Sequence, residues 1–243
     1  MEELWNFLFG KAGFLNFDFL PKYGVYFIQG LEYTLMLSVG SVLLAIIPAL
    51  LLALMRLSRH IVVRGIAGAY IAVFRSTPLL VQLAIIYFGV FYFIKVPSIY
   101  IFGFINLSHF IPGIVALALN SAAYVAEIIR GGILAVDYGQ TEAARSLGLS
   151  SWQAMRLVVL PQAIKNMLPA LANEMITMVK ESSICSVYGM MELMWAAKTV
   201  SGTTFISVGP LVLVAFMYFC INFPASKAIE ALERRMRRGD RKR

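Results

Sequence analysis

Charge is what this chain has least of. Asp, Glu, Lys and Arg make up 14% of its 243 residues, while 60% are hydrophobic. A water-soluble domain carries about a quarter charged residues, and one of this length has too little interior to hide so much apolar surface. The composition therefore excludes the soluble classes and implies one compact integral membrane unit, residues 1–243. Cysteine is also scarce. Cys185 and Cys220 both fall in apolar stretches, which excludes a disulfide framework and suggests two small core hydrophobes. His60 and His109 stand alone, with no H-E-x-x-H and no cysteine cluster, so no metal site is expected. The chain has no G-x-x-x-x-G-K-[S/T] and therefore no phosphate-cradling loop of its own. It also has no G-x-S-x-G, which leaves a membrane-embedded hydrolase a weak rival. Glu2 and Glu3 stand where a secretory leader would carry Lys or Arg, so no cleaved leader is expected.

What the chain does have is long apolar runs, and about 20 such residues cross a bilayer. Five segments qualify: 25–55, with Pro48 as a bend; 66–93, interrupted at Arg75-Ser76-Thr77-Pro78; 112–129; 166–188, the most polar; and 208–232. The predicted fold is all-α, a polytopic membrane bundle of five transmembrane helices. Cationic residues cluster after the first span (Arg56, Arg59, Arg64), after the third (Arg130, Arg145, Arg156, Lys165) and in the basic tail 233–243. The other side carries only Lys11, Lys22, Lys95 and Lys198. This asymmetry puts the N-terminus outside and the C-terminus in the cytoplasm. The net charge of +8 does not point to nucleic acid, because the basic residues form no single polar face. The tail reads instead as a contact for anionic membrane lipid.

Of the outer loops, 96–110 mixes apolar and turn residues and is expected to lie along the membrane surface. In 189–202, Met190, Leu193, Met194 and Ala197 recur at helical spacing, with Glu192 and Lys198 between them. A short amphipathic helix is expected there, either a gate or receptor contact or simply a helix packed on the bundle.

The segment 131–165 is the largest cytoplasmic loop. Gly139 precedes a helix holding Glu142, Ala143, Ala144 and Leu147, and Gly148 is a natural stop. Ser150 stands three residues before Gln153, which is the capping-box spacing. A second helix is expected from Trp152 to Leu160, closed by Pro161. The pattern Glu142-Ala143-Ala144, three residues, Gly148, then Leu160-Pro161 resembles the EAA loop of bacterial ABC-importer permeases. That resemblance implies a type I permease-like fold and an ATPase-coupling contact at Glu142, Ala143, Ala144, Arg145, Gly148, Leu149, Ser150 and Trp152. Two further stretches, Phe74-Arg75-Ser76-Thr77-Pro78-Leu79-Leu80-Val81-Gln82 and Ala123-Tyr124-Val125-Ala126-Glu127, are similar to segments of permeases for polar amino acids. The same holds for Leu168-Pro169 through Asn173-Glu174, and for Lys180-Glu181-Ser182-Ser183-Ile184. In the histidine/glutamine/arginine-type family, two permease chains pair, identical or homologous. They associate with two ATP-binding subunits that hold ATP and Mg, and receive a polar amino acid from an extracytoplasmic binding protein. Such a chain is no enzyme by itself and lies in the bacterial inner membrane.

Polar groups inside a membrane require a partner or a task. A helix restarting at Pro78, capped by Ser76 or Thr77, would present free N–H groups to an anion. Arg75 would add a forked donor, unless it pairs with a structural carboxylate or reaches the inner surface. On the fourth span Asn173, Glu174 and Thr177 face inward, and Glu174 suits an α-ammonium. The candidate substrate residues are thus Arg75, Ser76, Thr77, Gln82, Asn173, Glu174 and Thr177. Glu127 and Arg130, three apart, predict a structural ion pair. A passive or ion-coupled amino acid carrier is the alternative, although such carriers show internal repeats that are not visible here.

Overall fold

The computed structural model describes residues 15–240. The expectations resting on Glu2, Glu3, Lys11, Arg241, Lys242 and Arg243 lie outside the described residues. Helix α1 spans Leu20–Leu57 and α2 spans Ile61–Ser76. Helix α3, Leu79–Ala84, continues through a π-helical turn, Ile85–Val90, and a last turn, Phe91–Phe93. A hairpin of β1 (Tyr100–Ile101) and β2 (Ile105–Asn106) leads into α4, Leu107–Leu134, and then α5, Tyr138–Ser146. Helix α6, Ser151–Ala154, runs through π-helical Met155–Val159 into α7, Leu160–Glu181, and a 3₁₀ stretch, Ser182–Tyr188. Helices α8, Leu193–Thr204, and α9, Gly209–Asp240, complete the described chain.

Among the described residues, three helices are long and apolar enough to cross a membrane: α1, α4 and the Gly209–Met236 part of α9. The bent pair on either side of Thr77-Pro78 makes a fourth if counted as one span. The expected count of five is not reached by length and composition. Lys165, Glu174, Lys180 and Glu181 make α7 too polar to qualify. Pro48 and Pro112 both lie inside continuous helices. The surface loop contains the two-residue strands that helical expectation omits. Tyr100 pairs with Asn106 and Ile101 with Ile105, across a turn where Phe102 and Gly103 both have positive φ.

By internal contacts the chain divides into two units. The described part of the first comprises residues 15–41, 79–117 and 178–224. Its core joins Phe19 and Phe27 to Leu193, Ala196, Ala197 and Val200 of α8 and Val214 of α9. Helix α8 is therefore a packed helix with a buried stripe. Glu192, between the apolar positions of that pattern, is itself 0% exposed. It caps α8, its carboxylate accepting from the backbone N–H of Met194 and Trp195 and from the Tyr218 hydroxyl. Leu193 N–H donates to Thr34 Oγ1, and Gly30 makes this close approach possible: a Cβ there would lie 3.2 Å from the Glu192 carbonyl.

The second unit comprises residues 42–78, 118–177 and 225–240. Its core is built from small residues, Ala45, Ala49 and Ala53 of α1 with Ala122, Ala123 and Ala126 of α4 and Ala163 of α7. The three alanines of α1 are fully buried, while their larger neighbours Ile47, Leu50, Leu51 and Leu54 are exposed. Small residues inside and large ones outside is the arrangement helices adopt when lipid is the solvent, because close backbone approach replaces a hydrophobic driving force. Of the cysteines, Cys185 is buried as expected. Cys220 is exposed, because only 6% of the apolar stretch of α9 is covered by the rest of the chain.

Candidate functional site

The segment expected to couple is a helical hairpin with a cap at each turn. Asp137 caps α5 by accepting from Gly139 N–H at 2.6 Å. At its far end Gly148 takes φ +86°, Gly148 N–H donates to Arg145 O at 3.0 Å and Leu149 N–H donates to Ala144 O at 3.2 Å. These two bonds form a Schellman stop, which requires a left-handed residue and hence glycine. Arg145 closes the same turn by donating to Leu149 O. Ser150 then starts α6 with the expected capping box: Gln153 N–H donates to Ser150 Oγ, and Ser150 N–H donates to Gln153 Oε1.

One expectation is corrected. Pro161 does not close the second helix. Leu160 before it stays helical (φ −61°, ψ −42°) and the chain runs on into α7. The π-helical turn at 155–159 is the physical reason: it widens the helix where the proline ring would meet the preceding carbonyl and where its missing N–H leaves a gap. Residues 131–165 thus hold the end of α4, then α5, α6, the π-helical turn and the start of α7. Ala144 is also buried against its own unit, so its small size serves the hairpin itself. Glu142, Ala143, Arg145, Gly148, Ser150 and Trp152 are exposed. Leu147 at 84% and Trp152 at 69% exposure leave large apolar groups uncovered at the tip.

Two cavities of the second unit take up candidate substrate residues. Arg75 and Ser76 line an open cavity with Arg56, Gly68, Tyr124 and Glu127. Asn173 lines another with Lys165, Asn166 and Glu233. Glu174 accepts from the Ser121 hydroxyl at 3.1 Å, and Thr177 is half-buried on the same helix. Gln82 is buried in α3, among the residues of the first unit. The break at Arg75–Pro78 is present: α2 ends at Ser76, Thr77 is extended and the next helix starts at Leu79. The Thr77 hydroxyl donates back to Val73 O at 2.8 Å. Glu127 and Arg130 form the expected ion pair, at 2.7 Å. Arg56, which stood among the loop cations with no special signal, also reaches Glu127, at 3.7 Å.

Residues 41–238 match the family described as the binding-protein-dependent transport system inner membrane component, and the chain belongs to that family. In particular, it is a permease subunit of the amino acid ABC importer class. An arginine transport system permease of Bacillus subtilis (strain 168) is 38% identical over 93% of this chain and 100% of its own. An octopine transport system permease of Rhizobium radiobacter is 40% identical over 88% and 87%. A crystal structure of an amino acid ABC transporter with histidines superposes at TM-score 0.80 with 45% identity, covering 90% of this chain and 99% of that one. The methionine transporter MetNI in an inward-facing conformation matches at TM-score 0.66 and 21% identity, over 86% and 97%, which shows the shared fold. The passive or ion-coupled carrier finds no support in these likenesses.

Proposed function

We infer that this chain pairs with a second permease chain to form the path of an importer for polar amino acids, and that it is driven through the α5–α6 hairpin. The observation that carries this is the locked double cap around Gly148 and Ser150, which presents Leu147 and Trp152 uncovered. A rigid projection transmits a push, whereas a loose loop would absorb it. Two ATP-binding subunits, holding ATP and Mg, would seat on Glu142, Ala143, Arg145, Gly148, Leu149 and Trp152, with Ala144 and Ser150 fixing the shape. The chain itself would bind no nucleotide.

Orientation has support from charge. Every described arginine belongs to the second unit, and the cations of the first are Lys22, Lys95, Lys180 and Lys198. By the positive-inside rule the hairpin and the C-terminus are cytoplasmic and the N-terminus is outside, in a bacterial inner membrane. Five spans result if the bent pair and α7 with its 3₁₀ extension each cross. Relatives named for glutamine, arginine and octopine transport favour a polar amino acid, zwitterionic or cationic, delivered by an extracytoplasmic binding protein. Within the path we assign the α-ammonium to Glu174, with Asn173 and Thr177 beside it. Arg75 and Ser76 suit its carboxylate poorly. An amino acid would carry its ammonium into a lining whose one carboxylate, Glu127, is already held by Arg130.

The test is pull-down of the ATP-binding subunit from the assembled complex. Trp152→Ala is expected to weaken the association by about 30-fold, the effect of losing an aromatic anchor of roughly 2 kcal/mol. Equal association, or a hairpin that stays open to added protease in the full complex, would remove the reading.

A further inference from the structure

The cavity walled by α1, α2 and α4 holds more cation than anion. Arg56, from the last turn of α1, and Arg75, from the last turn of α2, line an open space of about 430 Å³ together with Ser76, Tyr124 and Glu127. Its single carboxylate is already engaged: Arg130 donates to both oxygens of Glu127, at 3.1 and 2.7 Å. Arg56 approaches Glu127 only to 3.7 Å, and its Nε is buried with no hydrogen-bond partner. The Arg75 guanidinium lies over the Tyr124 ring, 5.4 Å from its centroid. Gly68 makes room for this arrangement, since a Cβ there would stand 3.0 Å from Arg56 Nη1.

Three guanidinium groups around one carboxylate leave a net positive charge in a chain that spans a membrane. With no second carboxylate to balance it, this charge favours an anion in the cavity. The geometry points to a phosphate-binding site in this cavity, with Arg56 and Arg75 as the two donors. Phosphate offers several acceptor oxygens to two forked guanidinium groups and brings no ammonium with it. The phosphate of an anionic phospholipid fits the surroundings further. On the neighbouring turns of the same helices Leu51, Leu54 and Val73 are exposed, where acyl chains would lie. Basic pockets between membrane helices on the cytoplasmic side recognise lipid headgroups by this combination. Free phosphate would use the same two arginines without the apolar flank.

The experiment uses the complete importer, purified and delipidated, with bound species counted by native mass spectrometry. It is titrated separately with phosphatidylglycerol, phosphatidylcholine and inorganic phosphate. Phosphatidylglycerol is expected to be retained over phosphatidylcholine, and Arg56→Gln to weaken that retention about fivefold, the effect of one arginine at a charged headgroup. Arg59→Gln, outside the cavity, should leave it unchanged. Gly68→Ala keeps every charge but displaces the Arg56 guanidinium, so it carries the same test if Arg56→Gln fails to assemble. Phosphate binding that Arg56→Gln abolishes, with no preference between the lipids, would make free phosphate the ligand of the same site. Equal retention of both lipids without phosphate binding overturns the proposal, as does a lipid preference unchanged in the assembled variants.

Discussion

Tyr218 of α9 donates its hydroxyl to Glu192 Oε2 at 3.0 Å, while the two oxygens of that carboxylate also accept from the N–H groups of Met194 and Trp195. The pair anchors the start of α8 to α9 within the first unit. Glu192 lies in the connection ahead of α8, and burial pushes its carboxyl up to about 7; the two backbone N–H groups, the Tyr218 hydroxyl and Lys198 pull it partly back.

The sign of the resulting pH dependence follows from linkage. A carboxyl raised in the folded state contributes most below its unfolded value of 4.5, and that contribution is lost as pH rises through about 7. Thermal stability of the purified complex should therefore fall across this window, by on the order of 3 kcal/mol for this group. Glu192→Gln should flatten the profile, because the amide keeps an acceptor and cannot ionise. A wild-type melting midpoint that does not change between pH 4.5 and 7 would contradict the assignment.

Gly148 sits at φ +86° with open space around it. A side chain there meets only its own backbone, so Gly148→Ala should cost about 1–2 kcal/mol locally. Amide exchange at Leu149, whose N–H closes the turn onto Ala144 O, should speed up by roughly 5- to 30-fold. An unchanged exchange rate would show that the cap is not what holds the hairpin.

The alanine stripe of α1 makes an inverted prediction. Ala49→Leu inserts three carbons where the native residue is 0% exposed and should destabilise by about 1–3 kcal/mol. Leu50→Ala on the exposed neighbour removes three and should shift the chain's own stability by less than about 0.5 kcal/mol. Melting midpoints of the two variants in the same detergent decide the matter.

Glu174 accepts from Ser121 and is the proposed ammonium partner. Glu174→Gln keeps the size and a hydrogen bond to Ser121 and removes only the charge. Uptake by the reconstituted importer should drop about 10- to 150-fold, the range for a charged hydrogen bond of roughly 1.5–3 kcal/mol. Binding of the substrate to the isolated extracytoplasmic receptor should not change. Normal uptake would detach Glu174 from the path.

Much of the hairpin was legible because its signals are local. Gly148 as a stop and Ser150 with Gln153 as a capping box are properties of a few consecutive residues, and both are formed. Pro161 misled because the compensating π-helical turn at Met155–Val159 has no comparable signature. Periodicity puts Glu192 between the apolar positions of an amphipathic helix, yet it is a buried cap. Only Tyr218, twenty-six residues further on, supplies the hydroxyl that makes its burial tolerable.

The membrane class, the break after Ser76 and the capped hairpin are written locally, because composition, proline and glycine act over short stretches of chain. Helix packing settled that the α1 alanines face inward beneath exposed leucines. It also decided that Arg56 joins Arg75 around a carboxylate already held by Arg130. Those outcomes depend on which helices touch, and a contact between distant segments is fixed by the mutual fit of side chains that no single stretch contains.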